Sequence, residues 1–291
     1  MDEIRYDDRV AVITGAGGGL GRSYALYLAQ RGASIVVNDL GGTTDGQGND
    51  SKAADSVVAE VLALGGKAVA NYDSVATAAG GERIIQTAMD TFGRVDIVIN
   101  NAGILRDASL VKMSADSFDK LIDVHLKGAF YVTQPAFRVM KERGYGRVVY
   151  TASGAGLFGN FGQANYAAAK MGLVGLSSVT AIEGAKYNIK SNVITPIART
   201  RLTEELMAPT GEMFAPEFIA PMVAYLVSEG CEYSHEIFNV GAGRYSRIFV
   251  GSAPGWNASG GTTPSVEDIR DNLHTIISTE GFRVPGSAAE A

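Results

Sequence analysis

Short runs of β-branched residues alternate with longer amphipathic stretches through most of this chain, and that rhythm constrains its fold more than any other feature. Residues 9–14, 34–38, 67–71, 95–99, 147–151 and 189–195 read as strands, and 237–240 as a seventh. Helix-like segments begin near Gly19, Lys52, Gly81, Asp116, Asn165 and Pro216. The strand segments are apolar on both faces, as parallel strands covered by helices must be. The expectation is one α/β domain built on a doubly wound parallel sheet of about seven strands. Ligands on such a sheet bind at the carboxyl ends of the strands, where the strand order reverses.

Composition excludes several function classes. The 291 residues are 46% hydrophobic and 19% charged, which suits a globular chain with a full core. The net charge of -6, with no Lys/Arg-rich run, argues against nucleic acid or an anionic membrane as a partner. No apolar stretch approaches the roughly 18 residues of a membrane span, and the acidic segment 1–8 lacks the apolar centre of a signal peptide. The single cysteine, Cys231, cannot form an internal disulfide and fits a reducing cytoplasm. Three histidines scattered at 125, 235 and 274 leave no metal site to expect. Two stretches fall outside the rhythm. Residues 40–50 form a Gly/Asp/Thr loop, and everything after Gly241 is a tail, irregular over 251–261. Ser265-Val266-Glu267-Asp268 then opens a short helix with apolar residues at 266, 269, 273 and 276.

Three motifs carry chemistry. Thr14-Gly15-Ala16-Gly17-Gly18-Gly19-Leu20-Gly21 directly follows the first strand and opens an amphipathic helix. Glycines there let the backbone turn tightly and approach a pyrophosphate at a helix N-terminus. This makes the fold Rossmann-like. Asp39 ends the second strand, where a carboxylate hydrogen-bonds ribose hydroxyls and repels a 2′-phosphate. No Arg or Lys occurs in 15–21 or 38–50, so NAD is expected over NADP. Tyr166 and Lys170, just over one helical turn apart, share a face. An ammonium beside a phenol favours the phenolate and pulls its pKa from about 10 towards neutrality. Ser153 follows the fifth strand, at the edge where a substrate would sit.

The glycine turn, Asn100-Asn101-Ala102-Gly103 and Ser153…Tyr166-x-x-x-Lys170 resemble the short-chain dehydrogenase/reductase family over roughly residues 8–243. The strings at 37–42, 67–75 and 159–166 are similar to the (3R)-hydroxyacyl-CoA dehydrogenase domains of the type 2 peroxisomal multifunctional enzymes. The resemblance implies an NAD-binding catalytic domain over 1–243 and a C-terminal extension over 244–291. It implies Tyr166 as proton donor/acceptor, Ser153 on the reacting oxygen, and Lys170 on the nicotinamide ribose. Thr14, Gly15, Gly19, Leu20 and Gly21 would belong to the cofactor turn, with Asp39 on the ribose. Asp73 and Ser74 would meet the adenine, and Asn101, Ala102 and Gly103 would line the groove. Pro196 and Thr200 would lie near the carboxamide, although the glycine that commonly follows that proline is replaced by Ile197. His125 stands where the family often has a catalytic asparagine; whether it relays protons or fills space is open at this stage.

The implied activity is oxidation of (3R)-hydroxyacyl-CoA in fatty acid metabolism, by a stand-alone cytoplasmic homo-oligomer, a tetramer or a dimer. Alternatives are a hydroxysteroid or steroid-side-chain acyl-CoA dehydrogenase, a 3-oxoacyl-carrier-protein reductase, and a non-catalytic cofactor sensor. Arg106, Arg199, Arg201 and Arg244 are candidates for CoA phosphates, with solvated loop charge the simpler reading of any one.

Overall fold

The computed structural model describes residues 3–201, 203, 212–258 and 263–290. The chain divides into two compact units, Met1–Arg247 and Ile248–Ala291.

In the first unit, strands β1 (Val10–Thr14), β2 (Ser34–Asn38), β3 (Lys67–Asn71), β4 (Ile97–Asn100), β5 (Gly146–Thr151), β6 (Ile189–Ile197) and β7 (Ile237–Gly241) pair in parallel. The sheet order is β3-β2-β1-β4-β5-β6-β7, with β8 (Arg244–Ile248) beyond β7, so the order reverses between β1 and β4. Ala11 sits between Ile35 and Ile97, and every residue of β1 is buried, as the apolar runs require. The last strand, β8 (Arg244–Ile248), was not among the seven expected. Ala242 (φ 49°) and Gly243 (φ 73°) make the two-residue hairpin link that β7 needs to lead into it. None of its residues is fully buried and two are arginines, so no apolar run marks it.

The helices are α1 (Gly19–Ala29), α2 (Lys52–Ala63), α3 (Ala78–Phe92), α4 (Ala115–Ile122), α5 (Gly128–Arg143), α6 (Gly154–Phe158), α7 (Ala164–Gly184) and α8 (Ala220–Val227). Against one face of the sheet, Tyr24 and Leu28 of α1, Val57 of α2 and Val223 of α8 bury with Ile13, Ile35, Ile97 and Ile194. Helix α3 starts three residues before the expected Gly81, because Thr77 caps it by accepting from Gly80 N. The helical run expected from Asp116 is interrupted between α4 and α5 by a π-turn, Asp123–Lys127.

At the amino edge of the sheet, Asp96 closes β4 onto β1. It accepts from Val10 N at 2.9 Å and from Arg94 through two bonds of 2.7 Å, and Arg9 lies 3.3 Å away. Its carboxylate is 1% exposed, so removing it would take from Arg94 its ion pair and leave the Val10 N–H without its acceptor, while Arg9 would keep its pair with Glu229.

In the second unit, α9 (Val266–Ile276) is capped as its sequence predicts. Ser265 Oγ accepts from Asp268 N, and the Asp268 carboxylate accepts from Ser265 N. Ser252 and Arg283 form an isolated antiparallel bridge, and Phe249 stacks on Phe282 at 5.3 Å. The irregular stretch expected over 251–261 holds only that bridge through residue 258, and 259–261 lie outside the described residues. Among the described residues, no helix is long and apolar enough to cross a membrane.

Asp96→Ala is expected to lower unfolding free energy by about 3 kcal/mol. Denaturant titration checks this, and an unchanged midpoint would contradict the anchoring role.

Candidate active site

The carboxyl ends of β1 and β4 are stitched together at the point where strand order reverses. Thr14 Oγ1 accepts from Asn101 N at 3.0 Å and Ala102 N at 3.1 Å. In return, Asn101 Nδ2 donates to Thr14 O and Gly15 O, each at 3.1 Å. The glycine turn needs its glycines for close approach. A Cβ on Gly15 would lie 2.8 Å from Ala102 Cα, and one on Gly21 would lie 2.3 Å from Gly15 O. Gly18 is the N-cap of α1 and offers no side-chain cap, so the first-turn N–H groups of the helix have no competing side chain. Leu20 points the other way, packing on the core.

Asp39 holds this turn. Its carboxylate accepts from Gly17 N at 2.8 Å and Gly41 N at 2.7 Å, leaving each oxygen a lone pair for a further donor. Asp73, at the end of β3, accepts from Arg83 Nε at 2.6 Å and Asn71 Nδ2 at 2.9 Å, while its carbonyl accepts from Asn38 Nδ2. Beside it, Ser74 Oγ accepts from Ala76 N. Pro196 lies in β6, and Thr200 comes within 3.4 Å of where a Gly19 Cβ would stand. The fold therefore brings β1, β2, β3, β4 and β6 ends around one groove.

Ser153, Tyr166 and Lys170 come together on the adjoining elements. Ser153 is the N-cap of α6, its Oγ accepting from Ala155 N at 3.2 Å. Lys170 Nζ donates to Thr151 O at 2.6 Å and lies 5.4 Å from the Tyr166 ring centroid. Burial pushes the Lys170 ammonium down to about 7. The Tyr166 phenol is raised, not lowered: burial is the largest cause, the Asp107 charge adds to it, and a hydrogen bond with Ser153 opposes it. The expectation of a phenol drawn towards neutrality by Lys170 is therefore corrected for the protein alone. A cation that burial itself disfavours is a poor stabiliser of a neighbouring phenolate.

His125 sits in the π-turn between α4 and α5, its ring meeting Tyr166 edge-on at 5.4 Å and 77°. Burial holds its pKa well below the usual 6.5, and repulsion from Lys170 adds to this. Gly103 must be glycine, because a Cβ there would lie 2.6 Å from His125 Cε1. Sequence reasoning missed the residues that strap the 104–108 loop to the start of α7. Gln163 Nε2 donates to Asp107 at 2.7 Å, Asn165 Nδ2 donates to Arg106 O at 3.0 Å and Ser117 O at 3.2 Å, and Ala108 N donates to Gly162 O. Two amide side chains in the turn before Tyr166 were the available signal. The 40–50 loop docks here too: Leu105 N donates to Thr44 O and Arg106 Nε to Asp45 O. Arg106 also pairs with Asp116, which commits it to structure, whereas Arg199, Arg201 and Arg244 are exposed.

Asp107→Asn keeps the acceptor for Gln163 but removes the charge that raises the Tyr166 pKa. A reaction that needs the phenolate speeds up as pH rises through that pKa. The acidic limb of kcat/KM for a reaction in which Tyr166 acts as the base should thus move to lower pH in the variant. A limb that stays put or moves to higher pH would contradict the electrostatic assignment.

Residues 9–210 match a family model described as short chain dehydrogenase. A protein of Mycobacterium tuberculosis described as a short-chain type dehydrogenase/reductase is 51% identical over 280 residues, covering 96% of this chain and 97% of that protein. The peroxisomal multifunctional enzyme type 2 of Mus musculus is 47% identical over 290 residues, 99% of this chain and 39% of that enzyme. The solved full-length peroxisomal multifunctional enzyme type 2 of Drosophila melanogaster superposes with a TM-score of 0.83 at 40% identity, covering 99% of this chain and 48% of that one. The chain thus spans less than half the length of each of these two multifunctional enzymes.

Proposed function

The chain belongs to the short-chain dehydrogenase family, and from that premise we propose that it oxidises (3R)-3-hydroxyacyl-CoA to 3-oxoacyl-CoA with NAD. The observation that carries the oxidoreductase chemistry is the placement of Ser153, Tyr166 and Lys170 beside a glycine cradle at the carboxyl edge of one sheet. The substrate class rests on the strings at 37–42, 67–75 and 159–166 and on likeness to the multifunctional enzymes.

The turn suits a dinucleotide: Gly15 and Gly21 let it pack tightly on the chain itself, while nothing lies within 4 Å of where a Gly18 Cβ would stand, which leaves the start of α1 open to a phosphate. In this reading the first turn of α1 holds the pyrophosphate and Asp39 the adenosine ribose. Asp73 and Ser74 flank the adenine, Asn101 to Gly103 line the groove, and Pro196 and Thr200 lie by the carboxamide. The bound nicotinamide supplies the acceptor for the C3 hydride. Tyr166 takes the hydroxyl proton as the C–H bond breaks, Ser153 Oγ hydrogen-bonds the same oxygen, and Lys170 holds the nicotinamide ribose. Asp39 favours NAD because a 2′-phosphate would meet its carboxylate with no Arg or Lys from 15–21 or 38–50 to neutralise it. A cytoplasmic location and a homo-oligomer belong to the same proposal.

A second reading has support from one observation. Leu110, Val111, Phe158 and Phe161, in the segments flanking Ser153, Tyr166 and the 104–108 loop, are 75% to 92% exposed. Such a rim suits an apolar acyl chain, and it suits a hydroxysteroid or steroid-side-chain thioester as well.

NAD reduction should be rapid with the R-enantiomer of a 3-hydroxyacyl-CoA, slow with the S-enantiomer, and weak with NADP. Tyr166→Phe should reduce kcat by about 10² to 10⁴ with cofactor binding kept. Turnover of free hydroxysteroids with none of any acyl-CoA would overturn the leading reading in favour of the second.

A further inference from the structure

Among the described residues, Asn100 Oδ1 and His125 Nδ1 are buried side-chain atoms without a hydrogen-bond partner. Their residues are 5% and 3% exposed, and both line one small cavity together with Thr14, Ala102 and Gly128. The space there open to a water's centre is about 10 Å³, room for a single molecule. A buried polar atom left unpaired is costly, and two of them beside one cavity of this size point to a shared ligand.

Two backbone groups compete for one nitrogen of the His125 ring. Ile104 N lies 2.8 Å from His125 Nε2, and Ile104 O lies 2.9 Å from the same nitrogen. One ring nitrogen cannot both accept from the N–H and donate to the carbonyl. An orphaned buried N–H is rarer than an under-satisfied carbonyl, so Nε2 accepts and carries no proton. The neutral ring then bears its proton on Nδ1. On the other side of the cavity, Asn100 Nδ2 donates to Thr133 Oγ1 at 2.9 Å, which leaves Oδ1 as an acceptor.

We propose that one buried water accepts from His125 Nδ1–H and donates to Asn100 Oδ1, and that this locks His125 as a positioning residue. Both ring nitrogens are then committed, one to Ile104 and one to the water. The ring has neither a lone pair nor a proton to offer Tyr166, and an amide oxygen cannot pass a proton onward. His125 acts through what it holds: the Gly103–Ile104 backbone on one side and the edge-on face of Tyr166 on the other. The charged and titratable side chains facing it are Lys170 and Tyr166, both on α7. The water site does not depend on the substrate; only the rate measurements rest on Tyr166 as the proton-transfer group.

The chain has three histidines, so ¹⁵N-histidine labelling gives three ring systems, assigned by replacing each in turn. The expected spectrum shows His125 neutral from pH 6 to 8, protonated on Nδ1, with that proton slow to exchange and in Overhauser contact with water. An Nε2–H tautomer, or an imidazolium at pH 7, would overturn the proposal. This wild-type measurement needs no variant to fold and no activity, so it stands apart from the substrate question. His125→Gln places an amide near the Nε2 position and should keep kcat within about threefold, whereas His125→Asn leaves Ile104 N–H unpaired and should lower kcat about tenfold or more with little change in KM. The pH dependence of kcat should keep the same ionisations in His125→Gln. Loss of one ionisation in that variant would make His125 a proton relay and refute the positioning role.

Discussion

The whole site depends on the stitch between β1 and β4. Parallel strands that diverge at a reversal of strand order leave unpaired backbone groups at their carboxyl ends, and something has to satisfy them. Thr14 Oγ1 takes two amide donors from the start of the β4 loop, and Asn101 returns two donors to Thr14 and Gly15 carbonyls. Those four bonds bring Gly15 so close to Ala102 that only glycine fits. They also set the direction in which the chain leaves β4, through Gly103 and Ile104, towards His125. The cofactor cradle and the proton-transfer site are held by the same joint.

Electrostatics in the site follow from burial before they follow from pairing. Lys170 rests on the Thr151 carbonyl and has no carboxylate partner among the described residues, so desolvation dominates and its ammonium is weakened. Tyr166 is likewise pushed up, with only Ser153 opposing. A phenol raised this way is protonated at neutral pH.

Much of this was legible in the sequence because it is written in residue type. Apolar runs named the seven parallel strands, the glycines named the turn, and the Ser265 capping box named α9. What was not legible has physical reasons. Strand β8 is exposed and carries two arginines, so no hydrophobic pattern distinguishes it from a loop. The π-turn at Asp123–Lys127 costs one extra residue per turn and leaves no mark in composition. The Tyr166 pKa depends on the depth of burial and on Asp107, which is nearly sixty residues away in sequence, and neither can be counted from a Tyr-x-x-x-Lys spacing. The straps from Gln163 and Asn165 were visible as amides but not as contacts.

In the proposed reaction a hydride leaves C3 of the hydroxyacyl thioester for the nicotinamide while Tyr166 removes the proton. Isotopic transfer tests it most directly. With (3R)-3-hydroxyacyl-CoA carrying deuterium at C3, mass spectrometry of the reduced dinucleotide should show one deuterium per 3-oxoacyl-CoA formed, together with a slowed single-turnover rate. Reduced dinucleotide free of deuterium, formed from that substrate at an undiminished rate, would contradict the account.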